Sequence, residues 1–215
     1  MLVVIPGATE VGLFVGAALA LLLIPGPAVL FIVGRSVEQG RRAGFVSIVG
    51  IHAATLVHVF AAAVGLSALL ASSAWAFGAV KYAGAIYLIW LGYRKLVAPK
   101  QVVEEIPVQS FSHARLISDG FIVNLLNPKT ALFFLAFVPQ FVDPTRGGVA
   151  TQIVFLGILY TALGFVTDSI YAISAGAAGG LLKRSRIYRV LERYVSAILL
   201  IGLGVTAAVA GHHKR

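Results

Sequence analysis

The stretch Leu22-Leu23-Ile24-Pro25-Gly26-Pro27-Ala28-Val29-Leu30-Phe31 is answered 103 residues later by Leu125-Leu126-Asn127-Pro128-Lys129-Thr130-Ala131-Leu132-Phe133-Phe134. This register sets Pro25 on Pro128, Ala28 on Ala131 and Phe31 on Phe134, at an offset of about half the 215-residue chain. Each copy lies inside a long apolar run. A proline there removes a backbone donor and its ring clashes with the preceding turn, so the helix kinks or breaks. Interrupted apolar segments at corresponding positions of two halves form the pattern of an inverted-repeat transporter.

The breaks have a chemical use. Pro25 and Gly26 contribute a fixed φ and a flexible joint ahead of Pro27. In the second copy Asn127 can cap and Pro128 can take the first helical position. Both half-helices then start near mid-membrane with N–H groups and the positive dipole end exposed, which suits a carboxylate. The candidate substrate-binding residues are therefore Pro25, Gly26, Pro27 and Ala28 at one break, and Asn127, Pro128 and Lys129 at the other. Asp168 joins them for reasons of charge given below.

Composition sets the surroundings. Apolar types make up 59% of the chain and charged types 12%, against about 25% charged in a soluble domain. Such a chain cannot cover itself with water-facing groups. It also has no cysteine, which excludes a disulfide scaffold and thiolate chemistry. The apolar runs are continuous, so the membrane fold is helical, not a barrel of alternating strands. Laid out at roughly 20 residues per span, the sequence predicts six helices: about 11–33, 43–71, 75–96, 118–142, 148–176 and 193–211. Ser72-Ser73, just before Trp75, divides the longest run. The expected fold is all-α: six transmembrane helices as two inverted three-helix repeats, with the first and fourth helices broken. The repeats cover 1–97 and 113–215, joined by a polar cytoplasmic linker at 98–112.

Lys and Arg orient the spans. The loops at 35–42, 94–117 and 183–193 hold twelve of them and the opposite set three. The basic loops therefore face the cytoplasm and both termini lie outside. The formal charge of +9 is a topology signal, not a nucleic-acid footprint, since no basic stripe carries interleaved aromatics. No positive n-region precedes the first apolar stretch, so no cleavable signal peptide is expected.

Ionisable groups inside spans mark function, because each costs about 2.5–3.5 kcal/mol at a helix centre. Lys129 can bind a carboxylate or snorkel to the interface. Asp168 can accept an ammonium, carry a proton or pair with Lys129. His52 and His58 are six apart and point to different faces, unlike a helical metal pair, and read as packing histidines. Gly12, Gly16 and Ala20 form a small-residue stripe that allows packing within the chain or a homodimer contact. Thr9-Glu10 reads as the N-terminal cap of the first span. No nucleophile–base pair, phosphate loop or metal-ligand cluster is present, so no catalytic residue, cofactor or metal site is assigned.

With these residues in view, the chain resembles the lysine exporter (LysE/RhtB) family of bacterial amino-acid exporters. The resemblance runs through Pro25-Gly26-Pro27, through Lys81-Tyr82-Ala83-Gly84-Ala85-Ile86-Tyr87-Leu88, and through Asn127-Pro128-Lys129 followed by Pro139-Gln140-Phe141. It continues in the basic run before the last helix, which holds Gly202 and Gly204. The last helix departs from the family at Ser196-Ala197, where a glycine is usual. The resemblance implies a multi-pass protein of the bacterial cytoplasmic membrane. It implies efflux of a small zwitterionic amino acid or close derivative, driven by the proton-motive force. The alternatives are a metal-cation exporter of similar architecture and a membrane-embedded scaffold or enzyme without transport.

Overall fold

A computed structural model describes residues 5–73 and 111–178, with isolated positions between 75 and 97 and between 194 and 205. The predicted third and sixth helices, the linker and the basic 183–193 loop fall largely outside the described residues. Among the described residues, two helices are long and apolar enough to cross a membrane, within Arg41–Ala68 and Val149–Ala175. Two further pairs qualify only when each is taken together across a break.

Helix α1 is Ala8–Leu22 and α2 is Pro27–Gln39, bent by 53° at the break. Helix α3 is Arg41–Ser72, ending where Ser72-Ser73 divides the apolar run. Helix α4 is His113–Leu125 and α5 is Pro128–Leu132, and the line from α4 to Phe141 bends by 50°. After α5 the chain loosens into a π-helical turn at Phe133–Phe137 and then a 3-10 turn at Val138–Phe141. Pro139 in that turn lacks the N–H an α-helix would need. Gln140 offsets part of the loss, its side chain donating to the Ala136 carbonyl at 2.9 Å. Helix α6 is Val149–Ala178.

Both predicted breaks are present, but their equivalence differs from the sequence register. Gly26 caps α2 with Pro27 first in the helix, and Asn127 caps α5 with Pro128 first. The structural match is therefore Pro27 with Pro128, not Pro25 with Pro128. The reason is local: proline suits the first helical position, where no N–H is required. Gly26 is also not needed for its flexibility, since its φ of −119° and ψ of −170° are extended backbone open to any residue. It is needed for space, because a Cβ there would meet the Lys129 Cδ at 3.2 Å. At the other end of α1 the cap is Gly7, not the Thr9-Glu10 pair; Glu10 sits in the first turn, where the dipole favours an acid.

Helix α3 is the centre of the bundle, and glycines let its neighbours approach. A Cβ on Gly50 would fall against the Ile117 carbonyl oxygen of α4, and one on Gly120 would lie 2.7 Å from the Ser47 carbonyl. On the opposite side, a Cβ on Gly157 of α6 would lie 2.5 Å from the Val59 methyls, and one on Gly164 2.8 Å from the His52 ring. Positions 157 and 164 are seven apart, as are 59 and 52, so the two antiparallel helices meet on one seam. A Cβ on Gly12 or Gly16 would meet nothing within 4 Å among the described residues.

Apolar packing falls into two clusters. The larger joins Phe14, Leu21, Val59, Phe133, Phe134, Phe137 and Tyr160 with their neighbours, and its rings meet face and edge: Phe133 stacks on Tyr160 at 4.3 Å. The smaller joins Ile32, Ile48, Ile51 and Ala172. Leu13, Leu30, Phe60 and Ile170 point outward and are more than half exposed, as side chains meeting lipid do.

Candidate functional site

A cavity borders both apolar clusters where the two breaks meet. Its polar wall is His52 and Thr55 of α3, Asn124 of α4, Asn127, Lys129 and Thr130 at the second break, and Tyr160 and Asp168 of α6. Leu22, Gly26, Ala28, Val29 and Ile51 complete it. It measures about 30 Å³, room for one or two waters, so a larger guest requires the walls to part.

Five of the eight residues expected from the sequence line this cavity: Gly26, Ala28, Asn127, Lys129 and Asp168. Pro25, Pro27 and Pro128 are not in its lining; Pro27 and Pro128 start the half-helices. Lys129 reaches across to the other break, where Nζ donates to the Ile24 carbonyl at 2.6 Å. That carbonyl lost its intrahelical donor when the helix broke. The neighbouring Leu23 carbonyl accepts from the Tyr171 hydroxyl of α6 at 2.8 Å. Tertiary donors thus cap the broken end of α1, as a buried helix terminus demands.

The second break is organised by Asn124, which sequence reasoning passed over. Its Nδ2 donates to the Ile51 carbonyl at 2.8 Å and to the Thr55 hydroxyl at 2.9 Å. Its Oδ1 accepts from the Thr130 hydroxyl at 2.9 Å and from Asn127 Nδ2 at 3.3 Å. Asn127 Oδ1 in turn accepts the Lys129 backbone N–H at 3.1 Å, the cap expected from sequence. His58 donates to the Asn124 carbonyl at 3.2 Å and lies parallel to Phe134; this is the packing histidine the sequence predicts.

His52 differs from that expectation. It lines the cavity, and its Nε2 lies 3.2 Å from Asp168 Oδ2. The contact is close but misaligned, and neither ring nitrogen makes a well-formed hydrogen bond among the described residues. Asp168 is 4% exposed and ten residues from the end of α6, inside the candidate span Val149–Ala175. A signal for His52 exists in the sequence: it stands inside a 38-residue uncharged run, where an ionisable group is costly without a partner. Sequence alone could not supply the partner, which lies 116 residues away.

These features describe a helical membrane protein whose broken helices converge on a small cavity with one polar wall, the architecture of secondary transporters. The LysE type translocator family profile matches residues 19–211. The chain belongs to that family, and is a multi-pass protein of the bacterial cytoplasmic membrane. It is 31% identical over 190 residues to a homoserine/homoserine lactone efflux protein of Salmonella typhimurium, covering 88% of this chain and 91% of the relative. It is 26% identical over 202 residues to a leucine efflux protein of Enterobacter sp., covering 91% and 93%. An uncharacterized membrane protein of Vibrio cholerae is 29% identical over 188 residues, covering 87% and 91%. No solved structure matches the chain significantly.

Proposed function

We propose that the protein exports neutral amino acids or close derivatives from the cytoplasm, as a secondary transporter of six spans in two inverted repeats. The observation that carries this reading is the cavity, where a cation, Lys129, and an anion, Asp168, face a common space beside the start of α2. A zwitterion needs that pairing: its carboxylate meets Lys129 and the N–H groups of Ala28 and Val29, and its ammonium meets Asp168. The names of the efflux relatives point the same way. A lysine in the wall disfavours the metal-cation alternative, because it repels the cargo. Transport, not catalysis, is the activity this arrangement serves.

The cavity is too small for an amino acid as it stands, so this reading includes alternating access, with one three-helix half rocking against the other around the paired breaks. The basic loops face the cytoplasm in this reading. A second copy docking on the Gly12, Gly16 and Ala20 stripe belongs to this reading. The test is release of a labelled amino-acid panel from cells loaded with dipeptides. Export of at least one amino acid above that of cells lacking the protein is expected. Equal release across the whole panel would reject the reading.

A further inference from the structure

We infer that the His52–Asp168 pair is the coupling site, where the substrate ammonium and a proton bind in alternation. The inference rests on the transport reading above.

The first argument is scarcity. The eight carboxylates of the chain are Glu10, Glu38, Glu104, Glu105, Asp119, Asp143, Asp168 and Glu192. Glu10 starts α1 and Glu38 pairs with Arg35 at the end of α2 at 3.0 Å. Asp119 lies 3.8 Å from Arg115 near the start of α4, and Asp143 caps a loop turn. Glu104, Glu105 and Glu192 stand outside the long uncharged runs of the sequence. Asp168 alone stands inside an apolar run. Among the described carboxylates it is the one that both stands in such a run and lines the cavity.

The second argument is geometry. His52 and Asp168 are 8% and 4% exposed, and both line the cavity. Their 3.2 Å contact is poorly aligned, so an ammonium entering the cavity takes the carboxylate oxygen at little cost. The His52 imidazole is a second proton acceptor beside the carboxylate. A proton on it turns the pair into an internal imidazolium–carboxylate and removes the counter-charge from the ammonium. The other ionisable groups facing the pair are Lys129 from the second break and Tyr160, two turns earlier on α6. Lys129 holds the Ile24 carbonyl, and His58 is turned to the Asn124 carbonyl. Gly164 is a positioning residue, because any Cβ there would displace the His52 ring.

The cycle balances. With the cavity open to the cytoplasm, ionised Asp168 holds the substrate ammonium. Open to the outside, the pair takes one proton from water and the zwitterion leaves. The protonated pair returns and gives its proton to the cytoplasm. One proton enters for each zwitterion exported, and one net positive charge moves inward.

The test uses the full-length protein in liposomes, with the same pH on both faces. Equilibrium exchange of radiolabelled homoserine and of leucine is measured from pH 5 to pH 8. One proton competing with one ammonium raises the half-saturating concentration about tenfold per pH unit on the acid side. His52→Gln should shift that rise along the pH axis, because the imidazole no longer shares the proton. Asp168→Asn should abolish it. A half-saturation independent of pH, with exchange still running, would overturn the coupling site and leave the transport reading standing. An unmoved rise in His52→Gln, or a persisting one in Asp168→Asn, would also overturn it. No exchange of either amino acid, together with a silent dipeptide panel, would defeat the transport reading itself.

Discussion

Lys129 Nζ donates to the Ile24 carbonyl at 2.6 Å, joining the two helix breaks across 105 residues of sequence. The bond satisfies a carbonyl in the break that follows α1 and holds the lysine over the cavity. It also accounts for Gly26, whose missing side chain leaves the path open for the lysine stem. An ammonium has three donors, so capping one carbonyl does not exclude binding an anion.

Lys129→Ala should therefore reduce export by about tenfold or more, the worth of a charge-assisted hydrogen bond. Lys129→Arg should be impaired too, since a planar fork replaces a compact charge on a path fitted to a straight stem. Efflux is to be compared at matched protein level. Recovery of efflux in the double variant with Asp168→Asn would reassign the lysine to charge neutralisation.

The α3–α6 seam makes a graded prediction. Gly157→Ala forces a methyl against Val59 and should lower stability by about 1–3 kcal/mol, read as a fall in the unfolding temperature in detergent. Gly164→Ala should do the same and also alter substrate exchange, because it displaces His52. Gly34→Ala in α2, where a Cβ meets nothing within 4 Å, should be neutral or stabilising by up to about 1 kcal/mol.

Asn124→Ala strips the second break of its hub and leaves the Asn127 amide and the Thr130 hydroxyl short of partners. A loss of roughly 2–3 kcal/mol is expected. Asn124→Asp keeps the acceptor but loses both donated bonds and adds a buried charge, so it should be no better. Thermal unfolding and substrate exchange, measured on the same preparations, check both variants. Wild-type behaviour in Asn124→Asp would show that the donated bonds are dispensable.

Topology can be read directly because the chain has no cysteine. Thr145→Cys should react with an impermeant thiol reagent added outside intact cells, and Tyr188→Cys should react only after permeabilisation. The opposite pattern would invert the assigned orientation.

The sequence by itself determined the helical membrane class, the family and the location of the breaks. These follow from local quantities: charge density, the length of apolar runs, and proline's missing donor and steric clash. It also gave the Asn127 cap, since a cap is a contact between residues two apart. The tertiary structure decided what local rules cannot reach. It made Pro27 the equivalent of Pro128, gave Lys129 the Ile24 carbonyl, and set Asn124 at the hub of the second break. It also turned His52 from a packing residue into the partner of Asp168. Each of these contacts is fixed by how closely α3, α6 and the two breaks approach. That distance is set by the glycines at 26, 157 and 164 through the side chains they lack, and an absent side chain shows its use only once the facing helix is in place.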